Sequence, residues 1–241
     1  MTRIVALHGF LGQPEDWTEL RNALHELAPG IIFEAIHLPF RSAPVLPRTT
    51  AAWAKEFNRS QLCHRLARNI LIGYSLGGRL ALQAAVDKPG LWDEVVLVSS
   101  HPGYIDSEER SQRLKTDADW ADRFNHLPWA DAIEAWNRQT VFAGSREPER
   151  REGDYDKAAL AQVLLNWSPA RDDLSPQALV ALRPKLHWYA GAKDTKYVKL
   201  FELVQAVGLL GGFDAIPEAG HRVIFDRPRD LARQLVLNLN L

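Results

Sequence analysis

Short apolar runs alternate with amphipathic stretches along most of the chain. Residues 4–7 are the first such run and end in His8-Gly9-Phe10. An apolar run closed by a glycine turn reads as a buried strand. Pro14-Glu15-Asp16 then opens helical spacing through Trp17, Leu20, Leu24 and Leu27, and Pro29-Gly30 stops it. Proline and acids in a first turn suit a helix N-terminus. The same reading predicts a strand at 31–38, a helix at 49–66, a strand at 69–74, a helix at 75–87 and a strand at 94–99. Lys88-Pro89-Gly90 separates the last two.

The alternation then breaks. Residues 101–183 hold several short helical stretches and no convincing strand. It resumes with a strand at 186–190, a helix at 196–207, a strand at 213–216 and a helix from 226 to the end. Strands and helices joined by short connections imply an α/β fold, its mostly parallel sheet covered on both faces. About six strands are expected. Residues 1–100 and 184–241 form the expected core, and 101–183 an inserted helical cap.

Composition narrows the function. A chain of 241 residues buries about 70% of its unfolded surface, so its core needs no disulfide or metal staple. Cys63 is the only cysteine, which excludes an intramolecular disulfide and a multi-cysteine zinc site. With 29 basic and 30 acidic side chains, the chain lacks the basic excess that nucleic acid or anionic lipid demands. After Met1-Thr2-Arg3 only four apolar residues follow, short of a secretory core of about 7–15. No run approaches the ~20 residues of a membrane span. The expectation is a cytoplasmic protein with no membrane or nucleic-acid partner.

Candidate chemistry sits where predicted strands end. Gly73-Tyr74-Ser75-Leu76-Gly77 is a G-x-S-x-G motif between an apolar strand and a helix, the setting this motif requires. The turn forces Ser75 into a strained backbone, and the flanking glycines remove side chains that would clash. Its hydroxyl then stands at a helix N-terminus, where developing negative charge is favoured. An oxyanion needs two aimed N–H donors. The N–H of Leu76 and that of Phe10, on the loop after the first strand, are the candidates. Asp194 and His221 fall just after the fifth and sixth predicted strands, on the edge where open α/β sheets place their sites. His221 would take the Ser75 proton, and Asp194 would fix its tautomer.

Other polar residues read as structural. Ser99 and Ser100 end the fourth strand without an acid, which favours Asp194 as the third member. His8 reads as structural, Asp214 as solvating a strand edge, and Asp226 as a helix cap. His25, His64, His126 and His187 show no pairing or metal spacing. His37 has no assigned role.

With these residues placed, the sequence resembles the α/β-hydrolase superfamily over nearly its whole length. It departs in two places. The sheet begins at what would be that family's third strand, and the family's glycine-rich turn is here Pro39-Phe40-Arg41-Ser42. A narrower set of motifs joins IGYSLGGR (72–79), SHPGY (100–104), the charged run 109–113, D-x-D-W (117–120) and WNRQTVF (136–142). This set is similar to the 2-succinyl-6-hydroxy-2,4-cyclohexadiene-1-carboxylate synthases of menaquinone biosynthesis. The resemblance implies a lyase without cofactor or metal, whose serine acts as a base and whose substrate loses pyruvate. That small-molecule substrate carries several carboxylates and needs fixed cations.

Arg79 meets this demand on its own terms, four residues after Ser75 and hence on the same helix face. Lys196, two residues after Asp194, faces the same mouth. The resemblance further implies Arg113 as an anchor and Tyr74, Trp136 and Phe142 as pocket residues. The family's other cap arginine falls in a segment that holds Arg150 and Arg151 and reads here as a solvated charge run. The cap carries 11 basic and 15 acidic side chains, so an anion site there needs a few inward arginines rather than a general field. Its aromatics, Trp120, Phe124, Trp129, Trp136, Phe142, Tyr155 and Trp167, suit both a small core and an apolar lid.

A serine hydrolase, either a carboxylesterase or a C–C bond hydrolase, is the alternative with the same three residues. A non-catalytic ligand receptor on the same fold would keep its function after Ser75→Ala. Neither G-x-G-x-x-G after the first strand nor a phosphate loop is present, which argues against nucleotide binding.

Overall fold

Six strands pair in register, all parallel. The structure is a computed structural model that describes residues 1–41, 46–64, 66–104, 106–172, 174–182, 185–210 and 212–241. The strands are β1 (Thr2–Leu7), β2 (Ile32–Ile36), β3 (Arg68–Tyr74), β4 (Glu94–Val98), β5 (Leu186–Gly191) and β6 (Phe213–Ile216). Their order across the sheet is β2-β1-β3-β4-β5-β6. The chain passes from β1 to β2 on one side and then returns to β3 on the other. Loops after β1 and β3 therefore diverge and open a crevice at the carboxyl edge of the sheet.

The helices of the described residues are α1 (Thr18–Leu27), α2 (Thr50–Gln61), α3 (Leu76–Asp87), α4 (Ser107–His126), α5 (Trp129–Asn137), α6 (Lys157–Asn166), α7 (Pro176–Leu182), α8 (Thr195–Ala206), α9 (Val223–Asp226) and α10 (Pro228–Leu239). Along β1, Ile4 and Ala6 join one apolar layer and Val5 and Leu7 the other, as the two-residue period of a strand requires. Leu20 and Leu24 of α1 and Leu231 and Leu235 of α10 complete the first layer. Trp53 and Phe57 of α2, Leu80 of α3 and Phe201 of α8 complete the second. Helices α4 to α7 lie between β4 and β5. Their Trp120, Phe124 and Leu160 belong to the same apolar cluster as Leu7 and Leu76, so the insertion packs on the sheet layer rather than around a core of its own.

Element ends differ from the sequence reading in physical ways. One 3-10 turn (Pro14–Trp17) precedes α1. β2 stops at Ile36 because the Leu38 N–H donates to His8 Nε2 at 3.2 Å instead of to the ladder. Helix α2 ends at Gln61 and a 3-10 turn (Leu62–His64) follows; Arg65 lies outside the described residues. In the turn that departs from the family pattern, Phe40 is buried against His8 and Phe10, and Ser42 lies outside the described residues. So do Arg183 and Pro184, at the expected end of the cap. His187 is not unpaired: its Nε2 meets Glu94 Oε2 at 2.8 Å across β4 and β5. Among the described residues no helix is long and apolar enough to cross a membrane.

Candidate active site

Ser75 stands between β3 and α3 with φ 53° and ψ −113°, a backbone that non-glycine residues adopt only under strain. The Ser75 N–H donates to Val98 O at 2.9 Å, which fixes the turn to the next strand. A Cβ on Gly77 would overlap the Leu7 carbonyl. The first turn of α3 can therefore press against the end of β1 only because that residue is glycine.

His221 bridges the other two residues. Its Nε2 lies 3.3 Å from Ser75 Oγ and its Nδ1 2.7 Å from Asp194 Oδ2. The His221 and Asp194 side chains are both buried. Asp194 caps α8, and its Oδ1 accepts the Tyr197 N–H. Rings of Tyr74, Phe142 and Tyr197 surround the imidazole, and such packing holds its orientation and keeps water away. The Gly220 N–H donates to Asp226 Oδ2 at 2.9 Å, while Gly191 lets β5 approach the Gly220 carbonyl. The Ser–His separation is at the long end of a hydrogen bond. The arrangement can move a proton from Ser75 to His221 while Asp194 stabilises the resulting cation.

Phe10 and Leu76 lie beside Ser75 at one cavity wall. Neither backbone N–H donates to another described residue, so both are available to an oxyanion. The Phe10 ring packs on Phe40, Phe124 and Trp136, tying this loop to the insertion. His8 steadies the same loop: Nδ1 donates to Gly9 O at 3.0 Å and Nε2 accepts from Leu38.

Burial, and to a lesser degree the charge of Arg150, lowers the His8 pKa to about 3. In the unfolded chain it protonates near 6.5, so below that pH the unfolded state binds the extra proton. The stability His8 contributes is then fully present above pH 6.5 and is lost as pH falls toward 3. Denaturant titrations of wild type and His8→Asn should converge by about 2 kcal/mol between pH 7 and pH 5. A constant difference between the two proteins over that range would refute the assignment.

The cavity of about 1230 Å³ holds Ser75, His221, Trp136 and Phe142, together with Arg79, Arg113 and Lys196. The three cations differ. Arg79 is buried and already committed, its Nη1 donating to Asp172 Oδ2 and its Nη2 to Trp167 O, both at 2.5 Å. Arg113 donates from Nε to both Asp117 oxygens at 2.9 Å. Burial works against its charge, but Asp117 outweighs that and holds it firmly cationic. Lys196 has no ion pair among the described residues, and burial followed by the Arg113 charge lowers its pKa. Tyr74 does not line this cavity. It lines a smaller one of about 40 Å³ behind Ser75, with Asp16, Arg150 and Arg222.

Several residues take places that the local sequence did not suggest. Arg150 is no part of a solvated run: its side chain turns inward, only 9% exposed, and pairs with Asp16 at 2.9 and 2.7 Å. Arg151 is exposed and pairs with Glu149. Asp226 is not the helix cap the sequence suggests: the residue before α10 is Arg227, with no side-chain cap, and the Asp226 carboxylate instead accepts from Ser145 Oγ and from the Arg146 and Gly220 N–H groups. Arg222 lies over the Phe142 ring at 4.1 Å and donates to Asn137 Oδ1 and Arg146 O. His101 lines the large cavity.

The chain is similar to known proteins over nearly its whole length. The model of the alpha/beta hydrolase family matches residues 4–234. A 2-succinyl-6-hydroxy-2,4-cyclohexadiene-1-carboxylate synthase of Enterobacter sp. (strain 638) is 29% identical, over 99% of this chain and 92% of its own. A protein of the same name from Escherichia coli O1:K1 / APEC is 30% identical, over 96% of this chain and 91% of its own. Among solved structures, MenH from S. aureus superposes with a TM-score of 0.86 at 17% identity, covering 99% of this chain and 93% of its own. An esterase from Exiguobacterium antarcticum reaches 0.73 at 15% identity, covering 100% and 92%. The sheet and its helices thus form the α/β-hydrolase fold.

Proposed function

This chain belongs to the alpha/beta hydrolase family, and on that premise we propose that it catalyses the reaction for which its near-full-length relatives are named. In this reading it is a 2-succinyl-6-hydroxy-2,4-cyclohexadiene-1-carboxylate synthase, a lyase of menaquinone biosynthesis. The observation that carries the reading is the near-full-length identity to those synthases. The cations around Ser75 in the cavity support it. The product's name specifies a ring carboxylate and a succinyl group, so its precursor is an anion that needs fixed positive charge.

The residues take the following roles. His221 accepts the proton of Ser75 Oγ, and Asp194 stabilises the imidazolium. Ser75 then removes a proton from the substrate, and the electron pair left behind expels pyruvate as its enolate. His221 returns its proton to the enolate, which becomes pyruvate, and Ser75 and His221 are back in their starting protonation states. N–H groups of Phe10 and Leu76 bind the oxygen on which negative charge develops, which is where fixed dipoles help most. Arg113 and Lys196 anchor carboxylates directly. Trp136 and Phe142 close the apolar side. The insertion of residues 101–183 acts as a cap over this cavity. No cofactor or metal enters the scheme.

A second reading is a serine hydrolase in which Ser75 attacks an ester carbonyl. The contacts of His221 with Ser75 and Asp194 serve it equally well. One assay separates the two: pyruvate release from the pathway precursor, run beside hydrolysis of a nitrophenyl ester. Fast, Ser75-dependent pyruvate release with slow ester cleavage is expected. A Ser75-dependent ester burst without pyruvate would overturn the lyase reading.

A further inference from the structure

His101 follows the Ser99-Ser100 end of β4 and lies on the wall of the large cavity that also holds Ser75 and His221. Its ring stacks on Tyr104, with centroids 4.1 Å apart and planes 26° apart. Nδ1 accepts the Gly103 N–H at 3.0 Å. A ring nitrogen that accepts carries no hydrogen, so the neutral ring bears its proton on Nε2. That nitrogen has no hydrogen-bond partner among the described residues. It is also absent from the buried polar atoms that lack both partner and solvent, which are Arg3 Nε, Trp17 Nε1, Ser99 Oγ and Trp188 Nε1. The Nε2–H edge is therefore open, on a residue that lines the cavity.

The surroundings decide what can meet that N–H. Arg79 from α3, Arg113 from α4 and Lys196 from α8 all act on the ring. Burial is the largest effect, and with these three charges it lowers the His101 pKa to about 3. The imidazole is thus neutral across the physiological range. A fourth cation here would repel the other three. A neutral donor adds a directed hydrogen bond to an anion without that repulsion.

We propose that His101 is a substrate-binding residue whose Nε2–H donates to a carboxylate oxygen held in the field of Arg79, Arg113 and Lys196. This inference rests on the proposed carboxylate substrate of the same cavity. Stacking on Tyr104 and the bond from Gly103 fix the ring plane and tautomer, so the donor is set in place before the ligand arrives.

Two variants test it. His101→Phe keeps the ring stacked on Tyr104 and removes the donor, while His101→Gln keeps an N–H of similar reach. The readouts are KM and kcat for pyruvate release, and the inhibition constant of succinate as a small carboxylate probe. His101→Phe should raise KM and the succinate constant roughly 10- to 100-fold, with kcat within about threefold and the thermal midpoint lowered by no more than a few degrees, since the part-buried Gly103 N–H loses its acceptor. His101→Gln should recover most of the loss. A His101→Phe variant within twofold of wild type on both constants would overturn the proposal. Equal losses in both variants would also overturn it, because they point to packing rather than donation. Succinate can be titrated against whichever Ser75-dependent reaction the enzyme runs. If wild type releases no pyruvate, yet succinate inhibits its ester cleavage with the same His101→Phe loss, the lyase reading fails and this inference stands.

Discussion

Ser75→Ala should reduce kcat/KM by about ten-thousand-fold or more while leaving the fold as stable as wild type. The side chain donates no hydrogen bond that the fold depends on. Its contact is with His221, at 3.3 Å, and the turn itself is held by the backbone bond to Val98. Ser75→Gly separates chemistry from strain. It loses the same activity, because the hydroxyl is gone. At φ 53° a glycine sits without the penalty of order 1–3 kcal/mol that a side chain bears in such a region. Part of that gain is offset by the larger freedom of glycine in the unfolded chain, about 0.4–1 kcal/mol. Ser75→Gly should then be more stable than wild type by about 1 kcal/mol in denaturant titration. Assays of pyruvate release and of nitrophenyl ester cleavage read the first effect. Activity above one per cent in Ser75→Ala would remove the serine from the mechanism, and retained ligand binding with no activity in wild type would favour a receptor.

The parts of the molecule that could be read in advance are those whose signal is local. Ile4 to Leu7, 69–74 and 94–98 are apolar because interior parallel strands are covered on both faces, and a run of four or more such residues announces itself. The G-x-S-x-G turn is local too, since its glycines answer a close approach to the end of β1. Asp194 and His221 could be found because each follows a strand of the one sheet, and in a parallel sheet all such ends share one edge. Arg150, Arg222 and Asp226 carry no comparable mark. Their partners Asp16, Asn137 and Ser145 lie 134, 85 and 81 residues away. A charged run such as Arg146 to Glu152 looks solvated whether or not one member turns inward. His101 stayed hidden for a related reason. What distinguishes it is a ring nitrogen left unpaired by the loop and three cations brought from α3, α4 and α8, none of which adjoins it in the chain. The end of β2 was overrun because the Leu38 N–H leaves the ladder for a histidine 30 residues earlier.

Asp172→Ala should destabilise the protein by about 3–5 kcal/mol, because it strands a buried cation. Arg79 and Asp172 are both almost fully enclosed. Asp172 takes Arg79 Nη1 on one oxygen and Thr50 Oγ1 on the other, at 2.5 and 2.7 Å. Arg79 thus gives part of its charge to the protein before any substrate arrives, which separates it from Lys196. Replacing the pair by apolar residues of similar size, Arg79→Met with Asp172→Leu, should restore stability to near wild type, as buried ion pairs often return little net energy. The same geometry has a consequence for ligands. With Asp172 gone, the Arg79 guanidinium at the cavity wall is free to pair with a carboxylate from solution. Succinate should then raise the thermal midpoint of Asp172→Ala by more than that of wild type, since a ligand bound only by the folded state stabilises it in proportion to its affinity. In the double variant that excess should vanish. Thermal scans with and without succinate on the three proteins decide it. An equal shift in all three would mean that Arg79 never meets the ligand and serves only to join α3 to the insertion through Asp172 and Trp167.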